Sequence, residues 1–106
     1  MAVNKKLIES ARLARSRARA PYSGYAVGSA ILGGSGAIYL GCNVESGAYP
    51  TTMCAERIAI YNAISAGEES LQALAIVTKD GGTPCGACRQ GIYEQCGDIP
   101  VYLASE

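Results

Sequence analysis

Leu7, Ile8, Ala11, Ala14 and Ala18 recur at intervals of three and four with arginines between them, which predicts an amphipathic helix over residues 5–19. Pro21 stops it, since proline has no N–H to continue a helical ladder. Two apolar runs, 25–32 and 37–43, flank Gly33-Gly34-Ser35-Gly36 and read as a hairpin with a flexible loop. Residues 44–50 carry no period. Thr51 or Thr52 can cap a second helix that runs to about residue 66 and ends at Gly67, with Cys54 and Glu56 in its first turn. Residues 71–78 are almost wholly apolar, the mark of a buried strand, and Asp80-Gly81-Gly82 closes it. A third helix over about 86–95 and a last strand over 100–103 complete the chain. The order helix, hairpin, helix, strand, helix, strand predicts an α/β fold, a three-layer α/β/α sandwich with a mixed sheet.

Composition narrows the class. At 106 residues and 49% hydrophobic the chain is expected to form one domain, 1–106, around one core. Its formal charge is zero, but Lys5, Lys6, Arg12, Arg15, Arg17 and Arg19 face only Glu9 in the first twenty positions. That asymmetry reads as a solvated or subunit-facing helix surface rather than a nucleic-acid arm, so nucleic acid is not the expected partner. No apolar run approaches the ~20 residues that span a membrane, and the N-terminus lacks the apolar core of a signal peptide. A cytoplasmic location follows as an expectation. Five cysteines are an odd number, and in a reducing compartment a C-x-x-C pair points to metal or redox chemistry rather than a structural disulfide.

The chemistry concentrates in Met53-Cys54-Ala55-Glu56-Arg57 and Pro84-Cys85-Gly86-Ala87-Cys88. One cysteine plus a C-x-x-C pair offers three soft thiolates suited to zinc, with the fourth tetrahedral position left for water. Glu56 stands two residues past the first thiolate, able to reach that water without being a ligand. Both motifs fall at predicted helix starts, where unpaired N–H groups and the helix dipole stabilise thiolates. Arg57 and Arg89 are candidate hydrogen-bond donors to ligand sulfur. The chain has no histidine, so proton transfer near neutral pH falls to a carboxylate of raised pKa, and Glu56 is the best placed. Two other readings stay open: a structural zinc site completed by Cys42 or Cys96, and a redox C-x-x-C pair. C-x-E followed by P-C-x-x-C is the all-cysteine form of the zinc-deaminase signature.

Across nearly its whole length the chain resembles a cytidine deaminase of the small, all-cysteine type. The likeness runs through Ala20-Pro21-Tyr22-Ser23, Val27-Gly28, Gly41-Cys42-Asn43-Val44-Glu45, Cys54-Ala55-Glu56-Arg57 and Pro84-Cys85-Gly86-Ala87-Cys88-Arg89-Gln90. The resemblance implies that Cys54, Cys85 and Cys88 bind zinc, that Glu56 shuttles protons, and that Asn43 and Glu45 hold the ribose hydroxyls. It also implies an aromatic pocket wall at Tyr25 and a base contact from the Ala55 backbone. The implied reaction is zinc-dependent hydrolysis of cytidine or deoxycytidine to uridine or deoxyuridine and ammonia, in pyrimidine salvage. Asn43 and Glu45 alternate along an extended segment and so can point the same way, and a carboxylate there repels phosphate, which favours a free nucleoside over a nucleotide. Read alone, Asn43 and Glu45 equally suit a polar strand end, Tyr25 a core position and Arg57 an exposed helix residue.

An edge strand over 100–103 and apolar helix faces call for cover, and together with the resemblance this implies a homo-oligomer, at least a dimer and more readily a tetramer; Tyr49, in the irregular segment before the second helix, is a candidate near a shared boundary. Relatives continue past the last strand with another strand or helix and an aromatic residue. This chain holds no phenylalanine, and the expected fold lacks that last strand or helix. Two alternatives accompany the main reading. One is a shortened relative that keeps zinc as a staple in a binding or assembly module. The other is a deaminase of another aminopyrimidine nucleoside or of a nucleic acid. Intact Glu56 favours catalysis over the first.

Overall fold

The structure is a computed structural model and describes residues 2–47, 53–81, 92 and 94–105. Its elements are α1 (Ala2–Arg15), β1 (Gly28–Gly33), β2 (Ile38–Cys42), α2 (Ala55–Ser65), β3 (Leu71–Thr78) and β4 (Val101–Ser105). Ile92, Glu94, Gln95 and Cys96 are also helical, and Gly97 follows at φ 70°, a left-handed conformation that favours glycine. The start of that expected third helix lies outside the described residues.

The four strands form one mixed sheet in the order β2-β1-β3-β4. β1 pairs antiparallel with both β2 and β3, and β4 lies parallel to β3. The hairpin forms because Gly36, at φ 94°, lets the chain reverse tightly enough for Gly33 N–H to reach Ala37 O at 2.9 Å. A parallel β3–β4 pair needs a crossover, and the helical residues 92 and 94–96 fall within it.

Strand alternation sorts the core into two layers. On one face Ala30, Ala73, Ala75 and Val77 pack against Leu7 and Ala11 of α1. On the other Ile31, Leu74 and Ile76 pack against Ala59, Ile60 and Ala63 of α2, with Ile92 and Cys96 beside them. Helices therefore cover both faces, the three-layer α/β/α arrangement expected from the element order. Full burial of each large aliphatic side chain contributes about 1.5–3 kcal/mol. Small residues set the spacing on the α1 side: a Cβ on Gly28 would lie 2.0 Å from Ala11 O and 2.3 Å from Arg15 N, so β1 and α1 touch backbone to backbone.

Several boundaries differ from the expected ones: α1 starts at Ala2 rather than residue 5 and β4 runs on to Ser105, and three further shifts have a visible cause. α1 gives way after Arg15 to turn bonds, Ser16 N to Leu13 O and Arg17 N to Ala14 O, because Arg19 is drawn into a parallel bridge with Val44. The helix therefore ends before Pro21 acts. β1 begins at Gly28 rather than residue 25, since the Asn43 side chain takes Tyr25 O and Val27 N. α2 begins at Ala55 with Cys54 as N-cap, because the Val44–Met53 bridge holds the preceding residue extended. The expected caps Thr51 and Thr52 lie outside the described residues. Two of the arginines also bind within the chain: Arg12, still exposed as expected, donates to Ser105 O at 3.0 Å, and the half-buried Arg15 donates to Ala26 O at 3.0 Å.

Glu68 ties the hairpin loop to the end of α2. It accepts from Ser35 N at 3.1 Å, from Tyr39 OH at 2.7 Å and from the Ser35 hydroxyl, and these bonds, the Ser35 hydroxyl foremost, lower its pKa below the ordinary 4.5. The same contact raises the Tyr39 phenol. A lowered folded-state value means that the stabilisation is fully present above pH 4.5 and is lost as pH falls through the folded pKa. Glu68→Gln is thus expected to lower the melting temperature near neutrality and to shrink the gap to wild type on acidification below that value. An identical gap at all pH values would contradict the assignment.

Candidate active site

The site is assembled around the first residues of α2. Val44 is held on two sides: Val44 N donates to Met53 O at 3.0 Å, while Arg19 N donates to Asn43 O at 3.0 Å and Glu45 N to Arg19 O at 2.8 Å. This short ribbon sets Asn43 and Glu45 alongside Met53, immediately before Cys54. From the sheet side, Gly41 lets β2 approach α2, since a Cβ there would lie 2.2 Å from Ala55 O and 2.5 Å from Ala59 N. The start of α2 is therefore fixed by contacts between main chains.

Cys54 has extended backbone angles, φ −78° and ψ 148°, and its side chain makes no capping hydrogen bond. Its sulfur instead receives Arg57 Nη2 at 3.9 Å, the donor role expected of Arg57. Ala55 is fully buried as the first helical residue. Glu56 shares the sheet-facing stripe with Ala59, Ile60 and Ala63 and is only 5% exposed. Burial is the largest cause raising its carboxyl pKa, and the charge of Cys54 adds to it. A bond to its own backbone N–H and the Arg57 guanidinium act in the opposite sense.

Asn43 and Glu45 both turn toward the 22–27 segment, as their alternation suggested. Asn43 Oδ1 accepts from Val27 N at 2.9 Å and Nδ2 donates to Tyr25 O at 2.8 Å. Glu45 Oε1 accepts from Tyr22 N at 2.9 Å and Ser23 N at 3.0 Å, and Oε2 accepts from the Ser23 hydroxyl. These bonds, led by the Ser23 hydroxyl, lower the Glu45 pKa and keep it ionised. Tyr25 is 36% exposed, not a core residue, and its hydroxyl donates to Asp80 Oδ1 at 2.6 Å, a bond that raises the phenol pKa. Asp80 follows β3 and leads along the chain toward Cys85.

The Val44–Met53 bridge sets Asn43 and Glu45, and through Asn43 the backbone of Tyr25, beside the segment that leads into Cys54, Ala55, Glu56 and Arg57. Cys85, Cys88, Arg89 and Tyr49 lie outside the described residues. Tyr22, Ser23 and Asp80 were missed by the sequence reading. Pro21-Tyr22-Ser23-Gly24 signals a turn, but nothing local signals that its N–H groups meet a carboxylate in a distant segment. Cys96 packs on the α2-side core, and burial pushes its thiol up to about 11.

The family model of the cytidine and deoxycytidylate deaminase zinc-binding region matches residues 1–104. The chain belongs to that family. It is 50% identical over 104 residues to a cytidine deaminase of Sporosarcina psychrophila, covering 95% of this chain and 76% of the relative. It is 44% identical over 102 residues to one from Halalkalibacterium halodurans, covering 93% and 77%. The crystal structure of cytidine deaminase from Burkholderia pseudomallei superposes with a TM-score of 0.91 at 40% identity, covering 95% of this chain and 84% of that one. That from Mycobacterium tuberculosis gives 0.85 at 36% identity, covering 94% and 87%.

The zinc named for this deaminase family fits what the described residues offer. Among them no three His, Cys, Asp or Glu side chains cluster, since two of the candidate donors fall outside. Cys54 nonetheless has the chemistry of a ligand: a thiol at a helix N-terminus, with a guanidinium donor to its sulfur.

Proposed function

We propose that the chain is a zinc-dependent cytidine and deoxycytidine deaminase, hydrolysing the C4 amino group to give uridine or deoxyuridine and ammonia. The observation that carries this reading is the buried carboxyl of Glu56, two residues past the Cys54 thiol at the start of one helix. Cys54, Cys85 and Cys88 would hold the metal. When bound, zinc supplies a Lewis acid that makes water a nucleophile near neutral pH.

Glu56 performs the proton work. Its carboxylate takes the proton of the attacking water, delivers one to N3 of the pyrimidine, and passes another to the departing amine. Burial supports both halves of this cycle, because a carboxyl poorly solvated as an anion is a stronger base and yet readily returns its proton to an amine. Arg57 offsets the negative charge of the thiolates through its contact with Cys54.

Asn43 and Glu45 bind the ribose hydroxyls with the hydrogen-bonding capacity left after their contacts to the 22–27 segment. The Tyr25 ring walls the base and the Ala55 backbone contacts it. An ionised Glu45 repels a phosphate, which selects nucleosides over nucleotides. The chain acts as one domain, in the cytoplasm, in pyrimidine salvage, where a site built on thiolates stays reduced. It works as a homo-oligomer, at least a dimer and more readily a tetramer. The edge strand β4, with Val101 and Leu103 38% and 41% exposed, supports this as a surface that another copy would cover.

The direct test incubates cytidine with purified, zinc-loaded protein and follows ultraviolet absorbance. Conversion to the uridine spectrum is expected, and an unchanged spectrum at stoichiometric zinc would contradict the proposal. A second expectation concerns the metal itself. Elemental analysis should find one zinc per chain, and stripping it should lower the melting temperature, because metal binding is linked to folding in small domains. Substoichiometric zinc after chelator-free purification, with an unchanged melting temperature, would count against the thiolate site.

A further inference from the structure

We propose that Ser23 is a positioning residue that joins the ribose and base subsites into one rigid unit, an inference resting on the reading of Glu45 and Tyr25 as nucleoside contacts. The Ser23 hydroxyl donates to Glu45 Oε2 and accepts from Tyr25 N at 3.0 Å. The second bond is ordinary turn chemistry, a hydroxyl reaching a backbone N–H two residues on. The first is not, since it reaches across to a carboxylate twenty-two positions away.

The Ser23 bond sets how much of Glu45 is left for a substrate. A carboxylate has about four lone-pair sites. Two on Glu45 Oε1 are taken by Tyr22 N and Ser23 N, and one on Oε2 by the Ser23 hydroxyl. One site on Oε2 remains, enough for a single sugar hydroxyl. Asn43 is used in the same way: one amide hydrogen goes to Tyr25 O and one lone pair to Val27 N, leaving one donor and one acceptor for the other hydroxyl. Tyr25 is thereby held at both backbone ends, its N–H by Ser23 and its carbonyl by Asn43. Its ring is held at a third point by Asp80.

Removing the Ser23 hydroxyl leaves Glu45 pivoting on Oε1, with two sites open on Oε2 and no preferred hydroxyl direction. It also releases Tyr25 N. Substrate placement should suffer more than the proton transfers at Glu56, which lie on a different element. The expected signature is a raised KM with a nearly unchanged kcat.

The experiment compares wild type, Ser23→Ala, Ser23→Thr and Glu45→Gln, each zinc-loaded. The substrates are cytidine and the dideoxy analogue lacking both ring hydroxyls. Ser23→Ala is expected to raise KM for cytidine roughly tenfold, with kcat within about threefold of wild type, as for loss of one hydrogen bond to a charged group. KM for the dideoxy analogue should rise distinctly less, because that analogue has no hydroxyl for Glu45 to receive and reports only the released Tyr25. Ser23→Thr, which keeps the hydroxyl, should restore the cytidine preference. Glu45→Gln tests the underlying reading: if it leaves the cytidine preference intact, Glu45 is not a sugar contact and the proposal falls with that reading. If Glu45→Gln lowers the preference while Ser23→Ala does not, the reading stands and the proposal is overturned. Ser23→Gly, compatible with a turn, serves as a second variant without the hydroxyl. Failure of both Ser23→Ala and Ser23→Gly to fold would overturn the proposal in favour of a purely structural role.

Discussion

Glu56→Gln is expected to retain zinc and fold while losing about 10²–10⁴-fold or more in kcat/KM for cytidine. Gln matches Glu in size but carries no exchangeable carboxyl proton, and a single group is asked to serve several transfers in each turnover. Glu56 is 5% exposed, so exchanging it for a neutral amide removes a desolvated ionisable group from the α2–sheet interface. The melting temperature should consequently hold or rise slightly. That combination, stability kept and turnover lost, separates a proton-transfer role from a packing role. Near-native turnover in a zinc-loaded Glu56→Gln protein would assign the proton work to another group.

Gly41→Ala is expected to be the most disruptive addition of a single methyl group near the site. The new Cβ would meet Ala55 O at 2.2 Å and Ala59 N at 2.5 Å, both backbone atoms of α2 that cannot rotate away. Ordinary contact requires the helix to retreat by about 1 Å, and overpacking of this kind costs about 3 kcal/mol. For a domain of this size that corresponds to a fall of roughly 10–20 °C in melting temperature. The retreat carries Cys54 and Glu56 with it, and a misplacement of about 1 Å at reacting groups can cost about 10²-fold in rate. Circular dichroism melts and steady-state assays well below the transition check the two effects separately. A variant that melts within a degree or two of wild type and keeps full activity would show that Gly41 is not the close contact on which α2 is seated.

Much of this was legible in the sequence, and the exceptions have a common physical cause. β3 was read at its observed bounds because a long apolar run closed by Asp-Gly-Gly needs no tertiary information. The hairpin and the two-faced helical cover followed from period and element order alone. By contrast, the end of α1, the start of β1 and the start of α2 all moved because of contacts between distant segments. Arg19 pairs with Val44, Asn43 takes the backbone around Tyr25, and Val44 pairs with Met53. Local propensity carries no record of such bridges. The same holds at the site: Cys54, Glu56 and Arg57 were readable from adjacency within one motif. The turn that grips Glu45, and the Asp80 carboxylate that receives Tyr25, depend on residues twenty or more positions away. The close approach at Gly41 was visible only as part of a family motif, because what demands a glycine is the backbone of another element.

Hydrolysis at C4 is tested by running the reaction in heavy-oxygen water and weighing both products. Uridine carrying one heavy oxygen at C4 and one ammonia released per uridine formed are expected, with both signals lost in Glu56→Gln. Unlabelled uridine, or label and ammonia that persist undiminished in the zinc-loaded Glu56→Gln protein, would contradict it.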